Sequence, residues 1–155
     1  IVVGDKPGYV QVDVNGDVWV LSEGNTVYDE NWNVVSETAG KLTKINAVSL
    51  TIEKTFEFAI GEHPTDLAIN EMGDVFYYKN GSWSMNLFTH SLYDLELANS
   101  PLVAKNFYRL GAHDGMVYGG DAMGFSQAGW VFKYTMTGSL VDSFQVGLIP
   151  GGFAF

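Results

Sequence analysis

Four aromatic side chains, Tyr28, Trp32, Trp83 and Phe125, stand among Asp, Asn, Gly and Ser residues, and Asp121 and Gln127 flank the last of them. Aromatic faces offer stacking, and a few carboxylates and amides add oriented hydrogen bonds. Such a set suits a large flat or cyclic ligand held by many weak contacts. Asp5, His63 and His113 occur in comparable stretches. The same aromatics would alternatively pack between structural units, and for Trp32 and Trp83 both uses stay open, because a loop aromatic has little core to fill. Trp19, Phe76, Tyr118 and Trp130 lie within strand-like runs and read as packing.

Other chemistries have weak support. Asp13-x-Asn15-x-Asp17 imitates the start of a calcium loop, but Val18 stands where the loop needs glycine and no Glu follows at its twelfth position, so a turn is expected. His63, His90 and His113 are scattered, and no metal site is expected from them. No Gly-x-Ser-x-Gly, phosphate loop or dinucleotide fingerprint occurs, so no catalytic residue is assigned and the chain is not expected to be an enzyme. Asn80-Gly81-Ser82 matches a glycosylation acceptor and reads more simply as a turn. The 155 residues carry 8 Lys and Arg against 18 Asp and Glu, a net charge of −10 that repels phosphate backbones, so nucleic acid is not an expected partner. There is no cysteine, hence no disulfide framework or thiolate site, and no apolar run reaches the roughly 20 residues of a membrane-spanning helix. The sequence opens at Ile1 without Met or a basic leader; any export signal is expected to have been removed or to lie outside it.

The elements that position these residues follow from an internal repeat. Residues 4–20, GDKPGYVQVDVNGDVWV, align without a gap on residues 61–77, GEHPTDLAINEMGDVFY, matching Gly4 to Gly61, Pro7 to Pro64, Gly16 to Gly73, Asp17 to Asp74 and Trp19 to Phe76. The terminal GLIPGGFAF repeats the Gly-x-x-Pro-Gly opening, and a weaker start, lacking the proline, lies near Gly111. Period-two alternation around Asn15-Gly16 marks a hairpin that recurs over residues 66–78. Strands are expected near 8–14, 17–22, 41–47, 50–58, 66–70, 74–79, 84–90, 115–120, 129–136 and 139–146, with 103–108 a further candidate and one short helical turn at 92–98.

Short antiparallel strands, four to a unit, repeated with glycine and aromatics at fixed places, predict an all-β chain, a partial β-propeller of about three four-stranded blades. The blades fall at 4–58, 61–108 and 109–146, and residues 1–3 and 147–155 would be strands of neighbouring blades. A complementary half, or a homo-oligomer, is expected to complete the ring, since closure takes about 4 to 8 blades. The ligand face would comprise the blade entries 4–7, 61–64, 111–114 and 147–150 with the connections 23–39, 80–83 and 121–129.

The runs GEHPTDLAINEMGDVFYY and MVYGGDAMGFSQAGWVFKYTMTGSLVDSFQVG and the terminus GLIPGGFAF resemble the surface-layer-type, YVTN-like propeller lipoproteins of gut Gram-negative bacteria, over nearly the whole chain. The resemblance implies the C-terminal half of a propeller of about seven blades, lipid-anchored at the outer-membrane surface beside a TonB-dependent transporter. It includes the cobalamin-capturing surface propeller, so cobalamin, or a similar cofactor or glycan, is the implied small-molecule ligand, with no cofactor required. Tyr28, Trp32, Trp83, Asp121, Phe125 and Gln127 are the candidate ligand-binding residues, because corrin amides or sugar hydroxyls need both stacking faces and hydrogen-bonding groups. The alternatives are a protein-interaction scaffold on the same face and, less well supported, a metal-dependent propeller hydrolase. The missing proline near Gly111 and the irregular stretch 22–40 depart from the pattern.

Overall fold

The computed structural model describes residues 1–155 except Trp83. Strands β1 (Pro7–Val12), β2 (Val18–Ser22), β3 (Asn25–Tyr28), β4 (Val34–Thr38), β5 (Lys41–Asn46) and β6 (Thr51–Glu57) come first. There follow β7 (Thr65–Ile69), β8 (Val75–Asn80), β9 (Asn86–Ser91), β10 (Arg109–His113), β11 (Met116–Asp121), β12 (Ala128–Thr135) and β13 (Leu140–Leu148), with a 3-10 turn at Met123–Phe125. All pairings within the sheets are antiparallel, and the sheets run β1-β2-β5-β6, β7-β8-β9 and β10-β11-β12-β13, with β3-β4 as a separate hairpin. The chain is an all-β partial propeller of antiparallel blades.

The hairpin repeat has a physical basis in one side chain per blade. Asp13 is buried, and its Oδ1 accepts the backbone N–H groups of Asn15 and Asp17 at 2.8 and 3.0 Å while Oδ2 accepts the Trp19 indole N–H at 2.9 Å. Asn70, at the equivalent position, accepts from the N–H groups of Asp74 and Val75 at 3.0 and 3.1 Å. Its amide nitrogen then donates to Asp74, because Phe76 replaces the indole and offers no donor. Gly16 and Gly73 complete the turns at φ of 83 and 71°, where a Cβ is disfavoured. The Asp13-x-Asn15-x-Asp17 run is thus a turn. Blade three replaces this loop with a two-residue Asp114-Gly115 turn, both residues at positive φ.

Blade two is covered on both sides, which explains the unbroken apolar run of β8. Phe76 and Tyr78 pack with Trp19, Leu21, Leu42, Phe56 and Phe58 of blade one, while the intervening Tyr77 packs with Leu110, Val117 and Tyr134 of blade three. His90 is fully buried in the first cluster, its ring 4.4 Å from Phe56 and 5.8 Å from Trp19, and neither ring nitrogen has a hydrogen-bond partner. At the blade junction Pro64 is fully buried against Gly40, and a Cβ built on Gly40 would overlap its ring. Pro150 lies against Gly129 in the same way, one blade further on. The turns leading into Pro7 and Pro150 match, Lys6 and Ile149 having φ of 51 and 52°.

Several expectations are corrected. The stretch 22–40 is an ordered hairpin; its strands carry mostly exposed side chains, so they have no buried face to impose an alternating pattern. Residues 103–108 do not form a strand, because pairing there is limited to a Leu87–Val103 bridge. Residues 111–114 are not a blade entry: 109–113 is β10, weak in sequence because only Leu110 and Ala112 suggest it. Residues 92–98 make a turn closed by Asp94 N–H to Ser91, with no helix.

Two outcomes follow from the junction and the buried imidazole. Gly40→Ala should lower unfolding free energy by about 2 kcal/mol through overpacking, whereas Gly147→Ala, with open space around it, should leave chemical denaturation unchanged. Burial lowers the His90 pKa to about 4, opposed by the Asp94 carboxylate 4.0 Å away and reinforced by Lys54. The unfolded chain therefore takes up a proton near pH 6.5 that the folded chain refuses until about pH 4, so stability falls as pH drops through that window. Unfolding curves of the native chain and His90→Phe should diverge by about 3 kcal/mol between pH 7 and pH 4; parallel curves would refute the assignment.

Candidate ligand-binding rim

Strand register decides which loops share a rim. Pro7 pairs with Ser22, Thr65 with Lys79 and Arg109 with Gly120, so each inner strand begins beside the end of the second strand. The connections 23–40 and 122–127, with residues 81–82 and 84–85, therefore lie on the same rim as the blade entries 4–6, 61–64 and 104–108. Residues 13–17, 70–74 and 114–115 turn on the opposite rim. His113, expected on the ligand face, belongs to that opposite rim because 109–113 is a strand.

On the first rim the β3-β4 hairpin carries Tyr28 and Trp32. Its turn is held by Asp29, which accepts the N–H groups of Asn31 and Asn33 at 2.8 and 2.9 Å and the Asn33 side-chain amide. Hydrogen bonding from the Asn33 side chain, then from its backbone N–H, keeps the Asp29 carboxyl below its usual range. Trp32 sits at φ 62°, its ring 6.1 Å from Tyr28, and the two are 82% and 51% exposed. The base of the hairpin is tethered to its neighbours by the residues the sequence singled out. His63 Nε2 lies 2.9 Å from Glu37 and 3.0 Å from Thr26, its Nδ1 lies 2.9 Å from the Glu23 carbonyl, and Asp5 accepts the Thr38 hydroxyl at 2.6 Å. Asp5 and His63 thus hold the loop in place.

Asp121 and Phe125 line a cleft of about 260 Å³ together with Lys79, Met85, Tyr108 and Met123. Phe125 is 59% exposed and meets Tyr108 edge-on at 5.4 Å and 87°. Asp121 accepts the Met123 N–H at 2.9 Å and pairs with Lys105 at 3.0 Å, whose ammonium lies 4.2 Å from the Phe132 ring centre. Gln127 donates to the Met123 carbonyl at 3.2 Å, bracing the loop. At the cleft floor buried Lys79 donates to the Tyr108 carbonyl and lies 3.9 Å from Asp66, which accepts the Leu110 N–H at 2.8 Å. Burial pushes the Asp66 pKa up and the Lys79 pKa down, the mutual attraction opposing both.

The structure thus groups Tyr28 with Trp32 on one hairpin and Asp121 with Phe125 and Gln127 on one loop. The cleft lined by Asp121 and Phe125 includes neither Tyr28 nor Trp32, and Trp83 lies outside the described residues. Tyr108 and Lys79 join the cleft from other segments, and Lys105 pairs with Asp121 beside it. A lysine closing the apolar run of β8 was the one signal of them in the sequence. Among the described residues no group of three or more His, Asp or Glu is placed to hold a metal ion. The cleft can stack one ring and offer a carboxylate, with the buried Lys79 ammonium at its floor.

No family model and no curated protein matches the chain. A solved structure from a structural and mechanistic analysis of two prolyl endopeptidases, a propeller-containing enzyme, superposes with a TM-score of 0.56 at 13% identity over 89% of this chain. The chain spans 20% of that protein's length, and the likeness bears on the fold alone.

Proposed function

We propose that the chain forms part of an extracytoplasmic binding propeller that captures a flat or cyclic small ligand on the first rim. The observation that carries this reading is the exposure of Trp32, Phe125 and Tyr28, at 82%, 59% and 51%, on connections of that one rim. Such rings, with Tyr28 and Trp32 paired at 6.1 Å, offer stacking faces to a ligand of that kind. Cobalamin, or a similar cofactor or glycan, is the ligand class suggested by the sequence resemblance, with delivery to a TonB-dependent transporter at the outer-membrane surface. In this reading the protein is a carrier and does no catalysis.

Ring completion is part of the same proposal. Pro64 is fully buried at its junction while its counterpart Pro7 is exposed, and Val10 and Val12 of β1 are 58% and 55% exposed. Blade one therefore displays the surface that blade two buries, which supports a further blade, from a complementary half or a second copy, packing there.

A second reading, an interaction scaffold without a small ligand, is favoured by the position of Trp32 at a hairpin tip, where a protein partner could take it as an anchor. Calorimetric titration of the completed propeller with cobalamin, heme and oligosaccharides separates the two. If a ligand binds, Phe125→Ala or Trp32→Ala should weaken it by about 2 kcal/mol, roughly 30-fold, and Glu62→Gln by much less. Unchanged affinity in Phe125→Ala, Trp32→Ala and Trp83→Ala alike would move the site elsewhere, and no binding of any of these ligands would favour the scaffold.

A further inference from the structure

Three of the chain's five methionines meet at one place on the rim opposite the aromatic loops. Met72 from the β7-β8 turn, Met116 at the start of β11 and Met136 just beyond β12 line a cavity of about 190 Å³ between blades two and three. His113, Tyr77, Asn70 and Glu71 also line it. The His113 Nδ1 lies 3.0 Å from Glu71. A carboxylate only accepts, so Nδ1 carries the proton and the Nε2 lone pair is left available. Such a carboxylate behind a histidine fixes tautomer and ring orientation in the manner of the outer shell of a metal site. Tyr77 is 1% exposed and packs as a closed wall of the cavity, its hydroxyl buried like those of Tyr78, Ser22 and Thr43 elsewhere in the core.

We propose that this cavity binds a soft monovalent cation, copper(I) or silver(I), through the thioether sulfurs of Met72, Met116 and Met136 and Nε2 of His113. Thioethers are neutral, polarisable donors that suit soft ions, whereas magnesium and calcium demand oxygen ligands. Three neutral sulfurs and a neutral imidazole leave the single positive charge of the ion to be balanced through His113 by Glu71. Methionine also fills irregular gaps in cores, and Phe155 stacks on the His113 ring at 4.7 Å and 17°, but neither contact uses the Nε2 lone pair. Binding involves no change of oxidation state.

The test uses the 155-residue chain with silver(I) in chloride-free buffer, and copper(I) under anaerobic, reducing conditions. With methyl-labelled methionine, one equivalent of silver should shift the resonances of Met72, Met116 and Met136 and leave Met85 and Met123 in place. Met72→Leu/Met116→Leu/Met136→Leu preserves side-chain volume and should lose the ion while keeping its unfolding midpoint; Met85→Leu/Met123→Leu should bind as the native chain does. Glu71→Gln should weaken binding about 10-fold. Should the triple variant fail to fold, His113→Gln, at a half-exposed position, reads the same loss. Absence of silver binding by the native chain, equal binding by the triple variant or His113→Gln, or shifts at all five methionines would overturn the proposal.

Discussion

A proline entering one blade rests on a glycine of the blade before it, and the rest of the structure depends on how closely that contact lets the blades approach. Pro64 against Gly40 brings the inner strand of blade two to blade one, so that Trp19, Phe56 and Phe76 close over each other and His90 is sealed between them. Pro150 against Gly129 repeats the contact beyond blade three, laying Phe153 and Phe155 over Tyr118. The junction between blades two and three lacks the proline. There Asp66 and Lys79 reach across instead, to the Leu110 N–H and the Tyr108 carbonyl, and each buried charge needs both the other and its backbone partner.

That substitution explains why the floor of the rim cleft is polar. Lys79 and Tyr108 belong to the inter-blade joint first, and Phe125 and Asp121 are presented above them by a loop held through Met123. The same joint at its other end leaves room for Met72, Met116 and Met136. One irregular junction thus supplies a cleft on each rim.

The repeat was legible because its turn chemistry is local. Asp13 and Asn70 each satisfy a turn within five residues, and the exchange of Trp19 for Phe76 accompanies the change of carboxylate to amide. Gly16 and Gly73 mark the same positions. Elements lacking a buried face or strong strand formers were harder to see: the exposed β3-β4 hairpin, and β10, where Gly111 suggested an entry loop and misplaced His113. Phe125, Asp121 and Gln127 were recognisable as a set because one loop carries them. Tyr108 and Lys79 were not, since they are 29 residues apart and meet through a backbone carbonyl.

The most direct test of the proline-glycine junction is a double-mutant cycle at Gly40 and Pro64, read by chemical denaturation. If the proline ring is what a Cβ at Gly40 meets, Pro64→Ala should relieve much of the cost of Gly40→Ala, giving a coupling of at least about 1 kcal/mol. Additive effects of the two substitutions would contradict the account, because the blades would then be held at their distance by something other than this contact.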